Sequence, residues 1–268
     1  MSSQWILEEA PAAPDARIAY GPGPHHFGEL RLPPGRGPHP VVVAIHGGFW
    51  RAKYDLAHLG HLCAALTASG FATWNLEFRR IGHEGGGYPG TLEDVALGAD
   101  FLRTLADSHP LDLSRVVFLG HSAGGHLALW LGARHRLPPG VSLRGQDPLR
   151  PRGIVSLAGV ADVTRAYELG LSENAAEALL GGSPLEVPLR YQRASPAALQ
   201  PLGVPQVILH GSEDDTVPVA MSADFCARGR AHGDDVRCVV LPGAGHFEVV
   251  DPRSREWPQV VDAVRSLL

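Results

Sequence analysis

The sequence predicts an α/β protein: a mostly parallel central sheet flanked by helices, with a short helical cap insertion late in the chain. Three observations carry that prediction. Short, wholly apolar, β-branched runs such as VVVAI (Val41–Ile45) and RVVFLG (Arg115–Gly120) have the character of strands buried on both faces. Segments with helical spacing separate them, as repeated βα units require. The alternation breaks once, between Asp162 and Leu202, where ENAAEALLGG and Pro184, Pro188, Pro196 and Pro201 occur without any buried strand.

Taken in order, residues 17–32 supply one or two antiparallel strands, and Val41–Ile45 is the first buried strand. Asp55–Gly70 has helical spacing and stops at a glycine, which suits a helix C-terminus. FATWNLEF (Phe71–Phe78) is the next strand. A glycine-rich loop leads to a helix over Thr91–Ser108, where Thr91 and Asp94 match a capping box with Asp in place of Glu. The strand Arg115–Gly120 is followed by a helix from Ala123 to Arg134. Gly153–Gly159, Pro205–Gly211 and Val236–Gly243 are further strands, and Pro258–Leu268 is a closing helix with proline in its first turn. The Pro/Gly-rich stretches 21–40 and 136–152 read as loops rather than linkers. The expectation is one domain over 1–268, with 162–202 as a small cap over the carboxyl end of the sheet.

Composition narrows the function. The chain has 268 residues, 44% apolar and 19% charged, enough for a full core. Its formal net charge is -5 and no basic stretch could track a phosphate backbone, so nucleic acid is not an expected partner. Lys53 is the only lysine and reads as a solvated loop charge, which argues against Schiff-base chemistry. No cofactor or metal is expected. Cys63, Cys226 and Cys238 show no CxxC spacing and read as small buried side chains in a reducing compartment. MSSQWILEEAPAAPD lacks a basic, then apolar leader pattern, and no run approaches a transmembrane length. A cytoplasmic location without a membrane partner is expected, with oligomeric state unread.

Four short stretches carry chemistry. GHSAG places Ser122 between Gly120 and Gly124, where a strand turns sharply into a helix. That turn lifts the hydroxyl beside a helix N-terminus, where negative charge is favoured. HGGFW (His46–Trp50) follows the first buried strand, and its glycines let backbone N–H groups approach a carbonyl oxygen. The amides of Gly48, Phe49 and Ala123 form the expected oxyanion hole. HGSEDDTVP (His210–Pro218) offers a carboxylate at another strand end, Asp214 first, with Asp215 and Glu213 as alternatives. GAGHFE (Gly243–Glu248) places His246 to take the serine proton. A serine needs such a base at neutral pH, and the base needs a carboxylate to hold its tautomer.

The remaining histidines fit less well. His126 falls one helical turn past Ser122 and is expected to pack inward. His58 and His61 share a helix face near Cys63, but without a zinc-binding pattern. Phe49, Trp50 and Tyr88 lie in loops on the carboxyl side of the sheet and are the candidate walls of the substrate pocket. Trp74 and Phe78 read as core.

From about Val41 to the C-terminus these residues resemble the α/β-hydrolase superfamily, because HGGFW, GHSAGG, GSEDDTVP and GHFE occur in its order. EFRRIGHEGGGYPGTLEDV looks like the YRL–Pro–LEDV pattern of hormone-sensitive-lipase-type esterases, with Phe78-Arg79-Arg80 replacing Tyr-Arg-Leu. The His-Gly-Gly-x-Trp form is similar to kynurenine formamidases of this fold and to small carboxylesterases related to them. The same elements appear in prolyl-oligopeptidase-like domains, although no propeller accompanies them here. The resemblance implies an α/β-hydrolase fold, Ser122 as nucleophile, Asp214 as acid, His246 as base, and a small ester or amide as substrate. A carboxylesterase is the leading expectation, an arylformamidase or peptidase the alternative, and a non-catalytic binding module the rival of another class.

Overall fold

Eight strands form one sheet in the order β1-β2-β4-β3-β5-β6-β7-β8. They are β1 (Ala16–Ala19), β2 (Phe27–Arg31), β3 (His39–Ile45), β4 (Ala72–Leu76), β5 (Leu111–His121), β6 (Gly153–Leu157), β7 (Gln206–Gly211) and β8 (Val236–Leu241). The arrangement comes from a computed structural model that describes residues 3–268. β1 and β2 pair antiparallel and β2 is antiparallel to β4, while every other neighbouring pair is parallel. The predicted stretch 17–32 is therefore two strands, and the fold class is the α/β-hydrolase architecture expected.

The apolar strand runs have a direct physical cause. Val41, Val43 and Ile45 pack on one face of the sheet with Trp74, Phe118 and Trp130, whereas Val42 and Ala44 pack on the other with Leu62, Leu66 and Val264. Successive side chains point to opposite faces, so a strand covered by helices on both sides needs apolar residues at every position. All of Val41–Ile45 are fully buried.

Several elements differ in detail. The helix expected over Asp55–Gly70 is a short 3-10 turn, Leu56–Leu59, running into the helix Gly60–Ala68. That over Thr91–Ser108 is divided into Gly90–Asp100 and Leu102–Ala106. Its capping box does not form: the Thr91 hydroxyl donates to the Arg79 carbonyl at 2.6 Å, and the Asp94 carboxylate accepts from the Arg79 guanidinium. The helix Val219–Ala231 was not predicted, because its few large apolar residues, Met221, Phe225 and Cys226, stand among Ser222, Asp224, Arg228, Arg230 and small alanines and glycine that blur the period.

The insertion contains the helices Val163–Glu168, Leu171–Leu180 and Pro188–Ala194 and a 3-10 turn over Pro196–Leu199. Asp162 caps the first by accepting from the amides of Thr164 and Arg165. Backbone contacts tie the insertion to the loops beneath it. The Tyr88 amide donates to the Leu179 carbonyl at 2.7 Å, and Arg51 donates to the Ser172 carbonyl at 2.7 Å. Its apolar residues Ala175, Leu179 and Leu180 are continuous with the core on that face of the sheet.

One expectation is corrected outright. Cys226, on the helix Val219–Ala231, and Cys238, on β8, form a disulfide with their Cα atoms 6.5 Å apart. Only Cys63 is a free, buried thiol. The spacing of 12 residues hid the pair, because it is the packing of that helix on β8 that brings the two side chains together. Such bonds persist in oxidising surroundings, so the cysteines no longer support a reducing compartment. Among the described residues no helix is long and apolar enough to cross a membrane.

Candidate active site

Ser122 stands where β5 ends and the helix Ala123–Ala133 begins, with φ 56° and ψ −121°. A side chain rarely adopts that backbone region, and holding it costs about 1–3 kcal/mol. The surroundings enforce it. The Ser122 amide donates to the Leu157 carbonyl on β6 at 2.9 Å, and the Ser122 carbonyl accepts from the amides of His126 and Val160, both at 3.2 Å. A Cβ at Gly120 would lie 2.0 Å from the Gly124 carbonyl, and one at Gly124 would lie 1.9 Å from the Ile45 carbonyl. Both glycines of GHSAG are thus required by close backbone packing, on the N-terminal side against the helix and on the other against β3.

The HGGFW loop is drawn onto the same point. A Cβ at Gly47 would lie 3.0 Å from Ser122 Cβ, so only glycine lets the loop approach the serine so closely. Gly48 has φ 103°, and Phe49 and Trp50 are also left-handed at 48° and 57°. Among the described residues no hydrogen bond engages the amides of Gly48 or Phe49. Ala123 opens its helix, so its N–H has no partner within the helix either. These are the three amides expected to form the oxyanion hole.

Asp214 follows β7, and its side chain is fully buried. Its Oδ2 accepts from His246 Nδ1 at 2.7 Å, while Oδ1 accepts from the amides of Thr216 and Val217 at 2.9 and 2.8 Å. Burial raises a carboxyl pKa, but the hydrogen bonds from His210, His246 and these amides outweigh it and hold Asp214 well below the ordinary carboxylate range. The alternatives fall away on exposure: Asp215 and Glu213 both face solvent.

His246 sits in the loop after β8 and shares a cavity of about 170 Å³ with Ser122. The other walls are Gly48, Phe49, Tyr54, His58, Thr216 and Phe247. A larger cavity of about 600 Å³ lies between Val163–Glu168 and Val219–Ala231, among Asp162, Arg165, Glu168 and Arg228, and contains none of the candidate catalytic residues.

Two proposed pocket walls are corrected. Trp50 is 1% exposed and lies in the core, donating its indole N–H to His126 Nδ1 at 3.1 Å. Its left-handed backbone turns the side chain beneath the loop rather than into the cavity. Tyr88 does not line the cavity; it packs under the insertion, with the Arg190 guanidinium over its ring. His126 itself is fully buried, and its Nε2 donates to the Ala194 carbonyl at 2.8 Å. Burial pushes its pKa down to about 4, and both ring nitrogens are engaged, so it joins helix to insertion rather than serving as a base.

Sequence reasoning missed a histidine chain behind the site. His121 Nε2 donates to the His246 carbonyl at 2.9 Å, which leaves His121 Nδ1 to accept from His58 Nε2 at 2.7 Å. Burial, and after it repulsion from neighbouring imidazoles (His46 and His246 on His58, His246 and His58 on His121), holds both rings neutral, His58 down to about 3 and His121 well below the usual imidazole value. The position of His121, directly before Ser122, was the available signal. His58 is not paired with His61, which instead contacts the Glu9 carbonyl. Among the described residues no cluster of three His, Cys, Asp or Glu side chains could hold a metal ion.

The chain is similar to several known proteins. Esterase LipC of Mycobacterium tuberculosis is 27% identical over 259 residues, covering 88% of this chain, which spans only 60% of that relative's length. The monoacylglycerol lipase of Mycolicibacterium smegmatis is 27% identical over 87% of this chain and 89% of its own. Among solved structures, a truncated carbohydrate esterase from gut microbiota superposes with a TM-score of 0.83 at 20% identity, over 97% of this chain and 98% of that one. Esterase B from Lactobacillus rhamnosis superposes with a TM-score of 0.80 at 21% identity, over 99% and 89%. The BD-FAE family profile matches residues 29–228, well over half of the length, and the chain belongs to that family, with the α/β-hydrolase fold.

Proposed function

We propose that this chain hydrolyses small carboxylic esters through an acyl-enzyme on Ser122, with His246 as base and Asp214 as its carboxylate. The observation that carries the reading is the 2.7 Å bond from His246 Nδ1 to buried Asp214 Oδ2, beside a strained Ser122 in the same cavity. That bond fixes the proton on Nδ1 and leaves Nε2 free as an acceptor. Ser122 Oγ attacks the carbonyl carbon as its proton passes to His246 Nε2. The amides of Gly48, Phe49 and Ala123 receive the oxyanion. The tetrahedral species collapses, and His246 returns the proton to the leaving alkoxide, which departs as an alcohol. Water then attacks the acyl group and gives a proton to His246. Collapse releases the carboxylic acid and restores the serine hydroxyl. No step calls for a metal or cofactor.

The cavity of about 170 Å³, walled by Phe49, Tyr54 and Phe247, suits a short acyl group. The relatives named above are esterases and a lipase, which favours an ester over an N-formyl amide. The cytoplasmic placement expected from the sequence is not carried forward, because the Cys226–Cys238 bond removes its cysteine argument.

The test is a p-nitrophenyl ester series from acetyl to dodecanoyl, run beside N-formylkynurenine and a fluorophosphonate probe. The reading expects covalent labelling that vanishes in Ser122→Ala, and a kcat/KM that peaks at acetyl to butyryl. Ser122→Ala turnover above a tenth of wild type would sink the nucleophile. A dodecanoyl optimum would sink the compact pocket, and faster cleavage of N-formylkynurenine than of any ester would replace the ester reading.

A further inference from the structure

His210, the fifth residue of β7, is 1% exposed and stands beside Asp214. Its Nε2 is 2.8 Å from the Val217 carbonyl and 3.0 Å from Asp214 Oδ2. Both oxygens can only accept, so Nε2 carries the hydrogen. Its Nδ1 is hydrogen-bonded to Ser222 Oγ at 2.7 Å. The ring is thereby held in one orientation by partners on two elements: the loop after β7 and the helix Val219–Ala231.

We infer that His210 is a positioning residue for the catalytic base, acting through Asp214, an inference that rests on the Ser122, His246 and Asp214 assignment above. Asp214 Oδ2 is the one atom that holds His246, accepting from its Nδ1, and the His210 Nε2–H that serves the Val217 carbonyl lies 3.0 Å from the same oxygen. Oδ1 is filled by the Thr216 and Val217 amides. The carboxylate is fully buried, so water cannot replace a lost donor. Without His210 the carboxylate can turn about its own bond, and the loop loses the tie at the Val217 carbonyl. A second consequence is electrostatic. An N–H beside Oδ2 draws charge from it, and removing that N–H makes Asp214 a stronger partner for protonated His246. The acid limb of kcat/KM, which reports proton loss from the base, then moves to higher pH. Tyr54 shares the cavity with His246, and the other histidines packed around these rings are His121, whose ring centroid is 4.6 Å from that of His246, and His58 behind it. Both stay neutral through the range of that limb for the reasons given above.

The experiment compares His210→Leu with His210→Gln, whose amide N–H can reach Asp214 as the imidazole does. Steady-state kinetics on p-nitrophenyl acetate are followed across pH, with thermal unfolding measured in parallel and Ser122→Ala as the reference. For His210→Leu, kcat is expected to fall by about 10²-fold, the size of effect a small misplacement of reacting groups produces, with KM little changed. Its acid limb should rise by about half to one pH unit, the equivalent of one neutral hydrogen bond. His210→Gln should recover most of kcat and return the limb. A merely structural role would lower the stability of both variants alike and leave the limb in place. An unmoved limb in His210→Leu, or a Gln variant no better than Leu, overturns the inference. Should His210→Leu fail to fold, Ser222→Ala, which frees Nδ1, is expected to move the limb the same way by a smaller amount, and no movement there overturns it equally. If Ser122→Ala is itself active, the catalytic assignment has failed. If Ser122→Ala is dead and His210→Leu is unimpaired, only this inference has.

Discussion

Replacing Ser122 by glycine should yield a protein that is inactive and more stable than its alanine counterpart. Ser122 carries a Cβ at φ 56°, in a backbone region that glycine enters freely. The strain released by removing that Cβ is about 1–3 kcal/mol. Against it stands the added freedom of glycine in the unfolded chain, about 0.5–1 kcal/mol. Alanine keeps both the Cβ and the strain, so it is the proper reference. The net expectation is a gain of about 1 kcal/mol for Ser122→Gly over Ser122→Ala, or roughly 2–4 °C in Tm for a domain of this size. Urea unfolding at neutral pH and a thermal scan measure the difference, and p-nitrophenyl acetate hydrolysis verifies that both variants are dead. Loss of a triad nucleophile costs on the order of 10⁶ in kcat. A glycine variant less stable than alanine would refute the strain argument, because it would mean that the elbow is a relaxed conformation for this chain.

Asp214→Asn should lower kcat by about 10⁴-fold by presenting His246 with the wrong tautomer, whereas Asp215→Asn should cost little; the reverse ranking in the same ester assay would move the acid by one residue. Acid should destabilise the fold well before its carboxylates titrate. His58, His121 and His126 are buried neutral, with pKa values held below the unfolded value near 6.5, so their contribution is complete above that pH and is lost as pH falls toward their folded values. Each adds a slope of up to about 1.4 kcal/mol per pH unit, and urea unfolding between pH 6.5 and 5 that shows no fall would contradict their assignment as neutral. Thiol titration of the denatured, unreduced protein should find one reactive cysteine, Cys63, and all three after reduction. Breaking the Cys226–Cys238 bond should cost about 3 kcal/mol for a loop this short, and three thiols before reduction would rule the bond out.

The strand runs and the order of the GHSAGG, SEDDTVP and GHFE stretches were enough to determine the α/β class and to single out Ser122, Asp214 and His246. Those features are local: a strand buried on both faces must be apolar throughout, and a strand-to-helix turn held this tightly must have glycine where backbones touch. Asp214 was ranked above Asp215 and Glu213 in advance, but what separates them physically is that its side chain alone is buried, with its two oxygens filled by His246, His210 and two amides. Tertiary structure decided the rest. Trp50 looked like a pocket wall from its loop, yet a left-handed backbone sends it into the core onto His126. His121 and His210 each sit one or a few residues from a catalytic candidate, but what orients them is the His246 carbonyl for the one and the Ser222 hydroxyl on the next helix for the other. The Cys226–Cys238 bond, likewise, exists only because one helix packs on the edge strand β8. Spacing along a chain records what neighbours in sequence can do. It holds no record of which side chain from elsewhere will arrive to complete a hydrogen bond, and that is settled only when the elements pack.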